Sequence, residues 1–209
     1  MFVDWTLCPN NVTFDFDSGY LPPALGRKPT RNRSPNWFVS FRFPEGTDDK
    51  RRLLDGLICQ SPEGKSNITD PTRPYPKYWE KTIRRTKTDP FSIIPELSVS
   101  GINALNKTLQ VQGENLDKIT VGDPLAFTYE GLRYYFRAGA DLLLNGAVQD
   151  LSVIYDPIRT LVFSVAVTAD RINPTMRFAV NLNAITRSTG LGNLTQFGEL
   201  QGVEWTHAV

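Results

Sequence analysis

Few side chains in this 209-residue chain could carry out chemistry. His207 is the sole histidine and stands near the end of the sequence, so there is no pair of imidazoles for a metal ion and no positioned base for a Ser or Cys nucleophile. Neither the G-x-S-x-G pattern of hydrolases nor the G-x-x-x-x-G-K-[ST] loop of nucleotide-binding proteins occurs. The usual marks of acyl transfer and of NTP hydrolysis are therefore missing.

One pair of carboxylates has a suggestive spacing. In "FDFDSG", Asp15 and Asp17 lie on the same side of a predicted strand, with Phe14 and Phe16 on the other side. Such a pair could act as acid and base in a glycoside hydrolase, or could bind a divalent cation. Exposed strand faces commonly carry such pairs, so we expect no catalytic residue, no metal and no cofactor.

The cysteines and the overall charge narrow the class of protein. Cys8 and Cys59 could form one disulfide, but nothing in the sequence places them together; free thiols are the expectation, and the pairing stays open. The formal net charge is +1, so no overall field recruits nucleic acid or a membrane. There is no long apolar span, and the opening "MFVDWTLCPN" lacks the basic and apolar regions of a secretory signal. Neither membrane spanning nor export by that route is expected.

Basic residues cluster in two places, before the first strong strand and in a proline-rich stretch that also contains aromatic residues. Arginine interleaved with aromatics can bind single-stranded nucleic acid, and it can equally mark a protein interface. Because Glu80 and Asp89 stand nearby and the net charge is low, we favour the protein interface. Its predicted residues are Arg27, Arg31, Arg33, Tyr75, Tyr78, Trp79, Arg84 and Arg85.

Most elements that must position these side chains are predicted to be strands. "NWFVSFRFP" alternates with the two-residue period of a half-buried strand. After Pro90, alternating segments recur at short intervals and are separated by turn residues such as Glu130-Gly131. One of these segments, "KITVGDPLAFTYEG", is predicted to be a single strand. The fold class is therefore mainly β, an antiparallel barrel or sandwich.

One helix and one long loop interrupt the strands. "TDDKRRLLDGLICQSP" offers Thr47 as an N-cap and leucines at helical spacing, and Pro62 bars its continuation. Residues 61–90 contain five prolines and many charges, which predicts an irregular loop. The predicted organisation is strands and the helix of a barrel domain in 1–60, a basic, proline-rich interface loop in 61–90, and a strand-rich remainder with a hairpin insertion in 91–209.

Aromatic residues stand on both faces of several predicted strands. Phe38 follows Trp37, and Tyr135 lies between Tyr134 and Phe136. Strands with two apolar faces are typical of covered sheets. The cover could come from copies of the same chain in an assembly, or from sheets packed within one chain.

Several segments also occur in a distinctive order. The strand "NWFVSFRFP" and the helix "LLDGLICQ" precede the proline-rich stretch, and "TVGDPLAFTYEGLRYYFRAG" follows it. "AVQDLSVIYDPIRTLV", with Pro157 and Arg159, and "NPTMRFAVNLNAIT", with Pro174 and Phe178, come next. Over roughly residues 35 to 185, this order resembles the distal tail protein family of tailed bacteriophages. The opening "SGYLPPALGRKPTRNRSPN" is longer and more basic than is usual in that family.

The resemblance implies a tail-tube-like belt domain with a barrel and a helix, and no catalytic residues. It also implies a hexameric ring in the virion, assembled in the host cytoplasm, that links the tail tube to hub, baseplate, fibre or receptor-binding proteins. No membrane partner is implied, and nucleic acid would only pass through the channel. The alternative is a carbohydrate- or receptor-binding β-sandwich in which Tyr75, Tyr78 and Trp79 stack on sugars.

Overall fold

A computed structural model describes residues 11–17, 36–42, 65–70, 73–87, 89–154, 160–181, 187–189, 195–197 and 199–204. The strands are β1 (Asn11–Asp17), β2 (Asn36–Arg42), β3 (Lys65–Thr69), β4 (Leu97–Asn103), β5 (Thr108–Gly113), β6 (Lys118–Ile119), β7 (Pro124–Tyr129), β8 (Leu132–Arg137), β9 (Leu142–Leu143), β10 (Gln149–Ser152), β11 (Leu161–Ala169), β12 (Thr175–Asn181), β13 (Arg187–Thr189), β14 (Thr195–Phe197) and β15 (Glu199–Glu204). Helix α1 (Lys77–Thr86) and a 3-10 turn (Pro90–Ser92) lie between β3 and β4. The predicted mainly β class is confirmed, and none of the described antiparallel sheets closes into a barrel.

The described residues fall into two compact units. Unit 1 contains the residues up to Ile68 and those from Arg177 onward, and unit 2 contains Thr69–Met176. Strand β15 pairs with β2, so residues from near the two ends of the chain share one sheet. This division differs from the three consecutive segments predicted from composition, because strand pairing brings together residues that are far apart in sequence.

The sheet of unit 1 has the order β1-β2-β15-β12-β3. In β2, Trp37 and Val39 are buried whereas Phe38 and Ser40 are half-buried, which confirms the predicted alternation. A Cβ atom on Gly202 of β15 would lie 3.1 Å from Val39 Cγ1, so the glycine permits close packing over this sheet. The predicted helix after Thr47 lies outside the described residues.

Unit 2 is built around a four-stranded sheet of order β10-β5-β4-β11 and the β7–β8 hairpin. Phe127 of β7 stacks on Phe136 of β8, and it meets Phe163 of β11 edge to face with ring centroids 5.7 Å apart. Single bridges join Ala126 to Asp170 and Ala138 to Val153, one on each side of the hairpin. The sheet and the hairpin therefore enclose one apolar core in a sandwich-like arrangement.

The β7–β8 hairpin is the best predicted element. Its two-residue turn is Glu130-Gly131, and both residues have positive φ values, 50° and 76°, as this tight hairpin turn requires. Tyr135 and Phe136 point to opposite faces of β8, and both are buried. The aromatic residues on the two faces of this strand are thus covered within one chain.

Two sequence predictions are wrong. The segment from Lys118 to Tyr129 is not one strand, because a turn with Gly122 at φ 84° separates β6 from β7 and leaves Val121 half-exposed. The stretch 61–90 is not irregular throughout, because it contains β3 and the ten-residue helix α1. Four of the five prolines precede this helix, with Pro76 at its N-cap position where a missing N–H costs nothing, and Pro90 follows it.

Candidate interaction site

Helix α1 begins beside a carboxylate supplied by a distant turn. Pro76 at the N-cap position has no side-chain cap, and Asp123 takes over this role. Its Oδ1 accepts the backbone N–H of Lys77 at 2.8 Å, and its Oδ2 accepts that of Thr120 at 2.8 Å. Burial raises the pKa of Asp123, although these two hydrogen bonds favour the charged form. The turn before β7 thereby fixes where the helix starts.

The inner side of helix α1 is held by a buried ion pair. Trp79 Nε1 donates to Asp117 Oδ1 at 3.0 Å, and Asp117 is paired with the buried Arg171. Arg171 Nη1 also donates to the carbonyl of Pro95 at 3.1 Å. Ile83, one helical turn after Trp79, is buried on the same side. Trp79 is therefore a positioning residue in this site, with its indole N–H already bonded.

The outer side of helix α1 carries a stripe of positive charge. Lys77, Lys81, Arg84 and Arg85 are all exposed, and their spacing of i, i+4, i+7 and i+8 puts them on one face. We call these four residues the cationic stripe. It extends about 12 Å along the helix axis at 1.5 Å per residue. Arg84 forms an ion pair with Glu80 one turn before it.

An exposed tyrosine borders the cationic stripe. Tyr78 is 50% exposed and packs edge to face against Trp79, with ring centroids 5.1 Å apart. Next to it, Lys118 Nζ is paired with Asp141 Oδ2 at 2.9 Å. The hydrogen bond and negative charge of Asp141 raise the pKa of Lys118, and Tyr78 adds to this effect. Exposed Leu143 lies opposite Lys118 in the β6–β9 pair, so this edge of the stripe is partly apolar.

A cleft of about 430 Å³ opens at the first turn of helix α1. Arg73 holds one wall, since its Nη1 donates to the carbonyl of Gly122 at 2.7 Å. A Cβ on Gly122 would lie 2.5 Å from that nitrogen, so a side chain there would disturb the wall. The lining residues are Arg73, Pro74, Tyr75, Lys77, Glu80, Val121, Gly122, Asp123 and Pro124.

A second unusual surface lies on β11, at one edge of the four-stranded sheet. From Thr160 to Ala169 the sequence contains no charged residue and no proline. Val162 is 83% exposed and Val165 is 73% exposed. Val165 is two residues after buried Phe163, so a regular strand would place both side chains in the core. Pairing with β4 is interrupted between Val162 and Val167, and Val165 lies outside the core. Exposed Leu105 lies in the turn after β4, where the N–H of Ala104 donates to Oγ1 of Thr160 just before β11; we call Leu105, Val162 and Val165 the edge patch.

Three more exposed apolar residues lie at one end of this sheet: Leu116, Leu143 and Val148, which we call the hairpin patch. The Leu116 N–H donates to the Leu144 carbonyl. Leu144 lies against Gly113, the last residue of β5. Gly113 in turn pairs with Leu97, the first residue of β4. Val162 instead pairs with Gly101, four residues further along β4. Val162 thus lies farther along β4 than the hairpin patch, and Val165 lies beside the middle of β4.

The structure brings together five of the eight predicted interface residues. Tyr75 lines the cleft, Trp79 faces inward, and Tyr78, Arg84 and Arg85 lie on the exposed side of helix α1. The predicted Arg27, Arg31 and Arg33 lie outside the described residues, as do Cys8, Cys59, Pro157, Arg159 and His207. Asp15 and Asp17 lie in β1 opposite Phe38 and Asn36 of β2, and their side chains are also outside the description.

Several residues of the candidate site are not in the predicted set. The four basic residues of the stripe have helical spacing in the sequence, which could have indicated Lys77 and Lys81 once a helix was considered. The uncharged run in β11 was also visible. In contrast, the cap by Asp123 joins positions 46 residues apart and left no local signal.

Comparisons with known proteins give no family for this chain. No family model matches it, and no curated protein matches its sequence. In the described part of the chain, no group of three or more His, Cys, Asp or Glu side chains could hold a metal ion. No helix there is long and apolar enough to cross a membrane.

Proposed function

We propose that this protein is a structural component of a phage tail tip or baseplate whose copies associate head to tail into a ring. The observation that carries the proposal is the edge strand β11, which exposes Val162 and Val165 within an uncharged segment. Proteins normally protect sheet edges with charged side chains, prolines or bulges, because a bare edge pairs with other chains. The interrupted pairing with β4 protects β11 only in part, since it leaves two valines exposed. Such a surface is expected to be covered in the working state.

The hairpin patch supplies the second surface that a ring requires. A head-to-tail contact joins two different surfaces, and it closes into a ring when the rotation between neighbours permits. Leu97, on the side of the hairpin patch, and Gly101, which pairs with Val162, are about 13 Å apart along β4 at 3.3 Å per residue. The edge patch of one copy can therefore meet the hairpin patch of the next while its own hairpin patch stays available. The family resemblance suggests that six copies complete the ring, between the tail tube and the hub or fibre proteins.

A carbohydrate- or receptor-binding module is the second candidate. Tyr78 is half-exposed beside the cleft that Tyr75 lines, and aromatic rings of this kind stack on ligands with flat faces. Trp79 contributes less than the sequence suggested, because its ring packs on Tyr78 and its N–H binds Asp117. This alternative requires no ring, since the module could work as a monomer or as an oligomer, and exposed β11 has no role in it.

The oligomeric state separates the two candidates. Mass photometry over a concentration series should show wild-type assemblies whose population Val165→Lys reduces at least about tenfold, because a buried unpaired charge blocks edge pairing. Thr82→Lys is the matched control, since it adds the same charge at an exposed position of helix α1 that belongs to neither apolar patch. Circular dichroism checks that each variant is folded. A wild-type protein that stays monomeric at every concentration and binds glycans on an array would contradict the ring.

A further inference from the structure

We infer that the cationic stripe and the adjoining cleft bind an acidic segment of a partner protein that also carries an apolar anchor residue. This surface is separate from the edge strand, and the inference does not depend on ring formation. It identifies the chemistry of a partner that the proposed function leaves open.

Charge complementarity is the first argument. Between Arg73 and Lys87 there are six basic residues and one acidic residue, a net +5 in a chain whose total is +1. The nearby acids already have partners, since Glu80 pairs with Arg84 and Asp123 accepts two backbone N–H groups. Among the described residues, Lys81 and Arg85 form no ion pair. A strongly positive segment, in a chain whose remaining residues carry a net charge of −4, selects a negatively charged partner.

The cleft is the second argument, because it adds an apolar contact at one end of the stripe. Pro74, Tyr75, Val121 and Pro124 contribute apolar wall, and Lys77 belongs to both the cleft and the stripe. A volume of about 430 Å³ lies in the range of pockets that bind small ligands or side chains. An extended segment of about four residues spans the 12 Å stripe at 3.3 Å per residue. Its apolar neighbour would then enter the cleft.

The aromatic residues favour protein over single-stranded nucleic acid. Sequence-independent binding of single strands uses several aromatic rings on which successive bases stack. Here Trp79 is bonded inward, so Tyr78 is the exposed ring next to the stripe in the described region. Half-exposed Val121 lines the adjoining cleft. A surface that mixes tyrosine, arginine and apolar side chains is typical of protein interfaces.

The test uses fluorescence anisotropy with the full chain and three labelled probes. The first is a synthetic peptide in which two leucines precede four acidic residues, the second replaces the leucines with serines, and the third is oligothymidylate of equal charge. We expect the leucine peptide to bind about tenfold more tightly than the serine peptide and the oligonucleotide. The double variant Lys81→Glu/Arg85→Glu should lower the affinity for the leucine peptide by at least about tenfold. In Val121→Gln, the leucine peptide should bind no more tightly than the serine peptide.

Lys107→Glu is the control for a charge reversal elsewhere on the surface; it lies in the turn between β4 and β5 and reverses one charge, against two in the double variant. It should change peptide binding by less than about twofold. Peptide binding that is unaffected by the double charge reversal would overturn the inference. Tighter binding of oligothymidylate than of the leucine peptide would also overturn it and would assign the surface to nucleic acid. The ring experiment is unaffected by either result, so the two proposals fail separately.

Discussion

Asp123 fixes two elements of this protein with one side chain. Its carboxylate caps helix α1 and closes the turn before β7 by accepting the N–H groups of Lys77 and Thr120. The side chain is buried, and burial raises its pKa more than these hydrogen bonds lower it. Asp123 belongs to the segment "TVGDPLAFTYEGLRYYFRAG", in which the alternation of the strands does not explain why an aspartate stands there. The reason is a contact between segments far apart in the chain, which no local pattern encodes.

A pH-dependent contribution to stability follows from this burial. Because the pKa of Asp123 is raised in the folded state above its ordinary value of 3.8, the folded protein holds the proton more tightly than the unfolded chain does. The stability from this group is fully present below that ordinary value and is lost as the pH rises through the folded pKa. We therefore expect the difference in the free energy of unfolding between the wild type and Asp123→Asn, measured with urea, to favour the wild type more at pH 3 than at pH 7.

Asp141 provides a control, because its pKa is shifted in the opposite direction to that of Asp123. Its pKa is lowered by the hydrogen bond from Lys118 and by the N–H of Val121, so its contribution is present at higher pH and is lost as the pH falls. The difference in the free energy of unfolding between the wild type and Asp141→Asn should accordingly become smaller as the pH is lowered. The same pH trend for both variants would contradict the assignment for Asp123.

At the scale of elements, prediction from sequence succeeded where the signal was local. The β7–β8 hairpin was predicted with its turn, because alternation and the Glu130-Gly131 pair are neighbours in the chain. Helix α1 was missed because Pro74 and Pro76 suggested a loop, and because its inner side is stabilised by Asp117 and Arg171 from other segments. The position of β11 at a sheet edge depends on strand order, which alternation alone does not specify.

The buried pair Asp117–Arg171 should be the strongest polar link between these elements. Asp117→Ala removes the partner of a buried guanidinium and the acceptor of Trp79, so we expect a loss of about 3–5 kcal/mol in the free energy of unfolding. Glu80→Ala breaks the exposed pair with Arg84 on the same helix and should cost only about 0.3–0.5 kcal/mol. Equal losses in urea unfolding would show that the buried pair does not hold the helix.

At the scale of the whole molecule, the predicted mainly β class is confirmed, whereas the three consecutive segments stay a prediction. Composition and alternation define a mainly β chain, whereas the division into two units depends on β15 returning to β2. The interpretation of the aromatic residues also changes. Tyr135 and Phe136 are covered within unit 2, so they give no support to self-association, and the exposed valines of β11 now carry that proposal.

The most direct test of the central claim asks whether the edge patch of one copy meets the hairpin patch of another. Val165→Cys and Leu143→Cys would be combined in a chain with Cys8→Ser and Cys59→Ser, and mild oxidation would be followed by denaturing electrophoresis and peptide mapping. The proposed ring predicts a ladder of covalent oligomers that ends at six copies and contains the 165–143 disulfide, with no ladder from either single-cysteine control. A double variant that remains monomeric after oxidation, like its controls, would contradict head-to-tail assembly through these two surfaces.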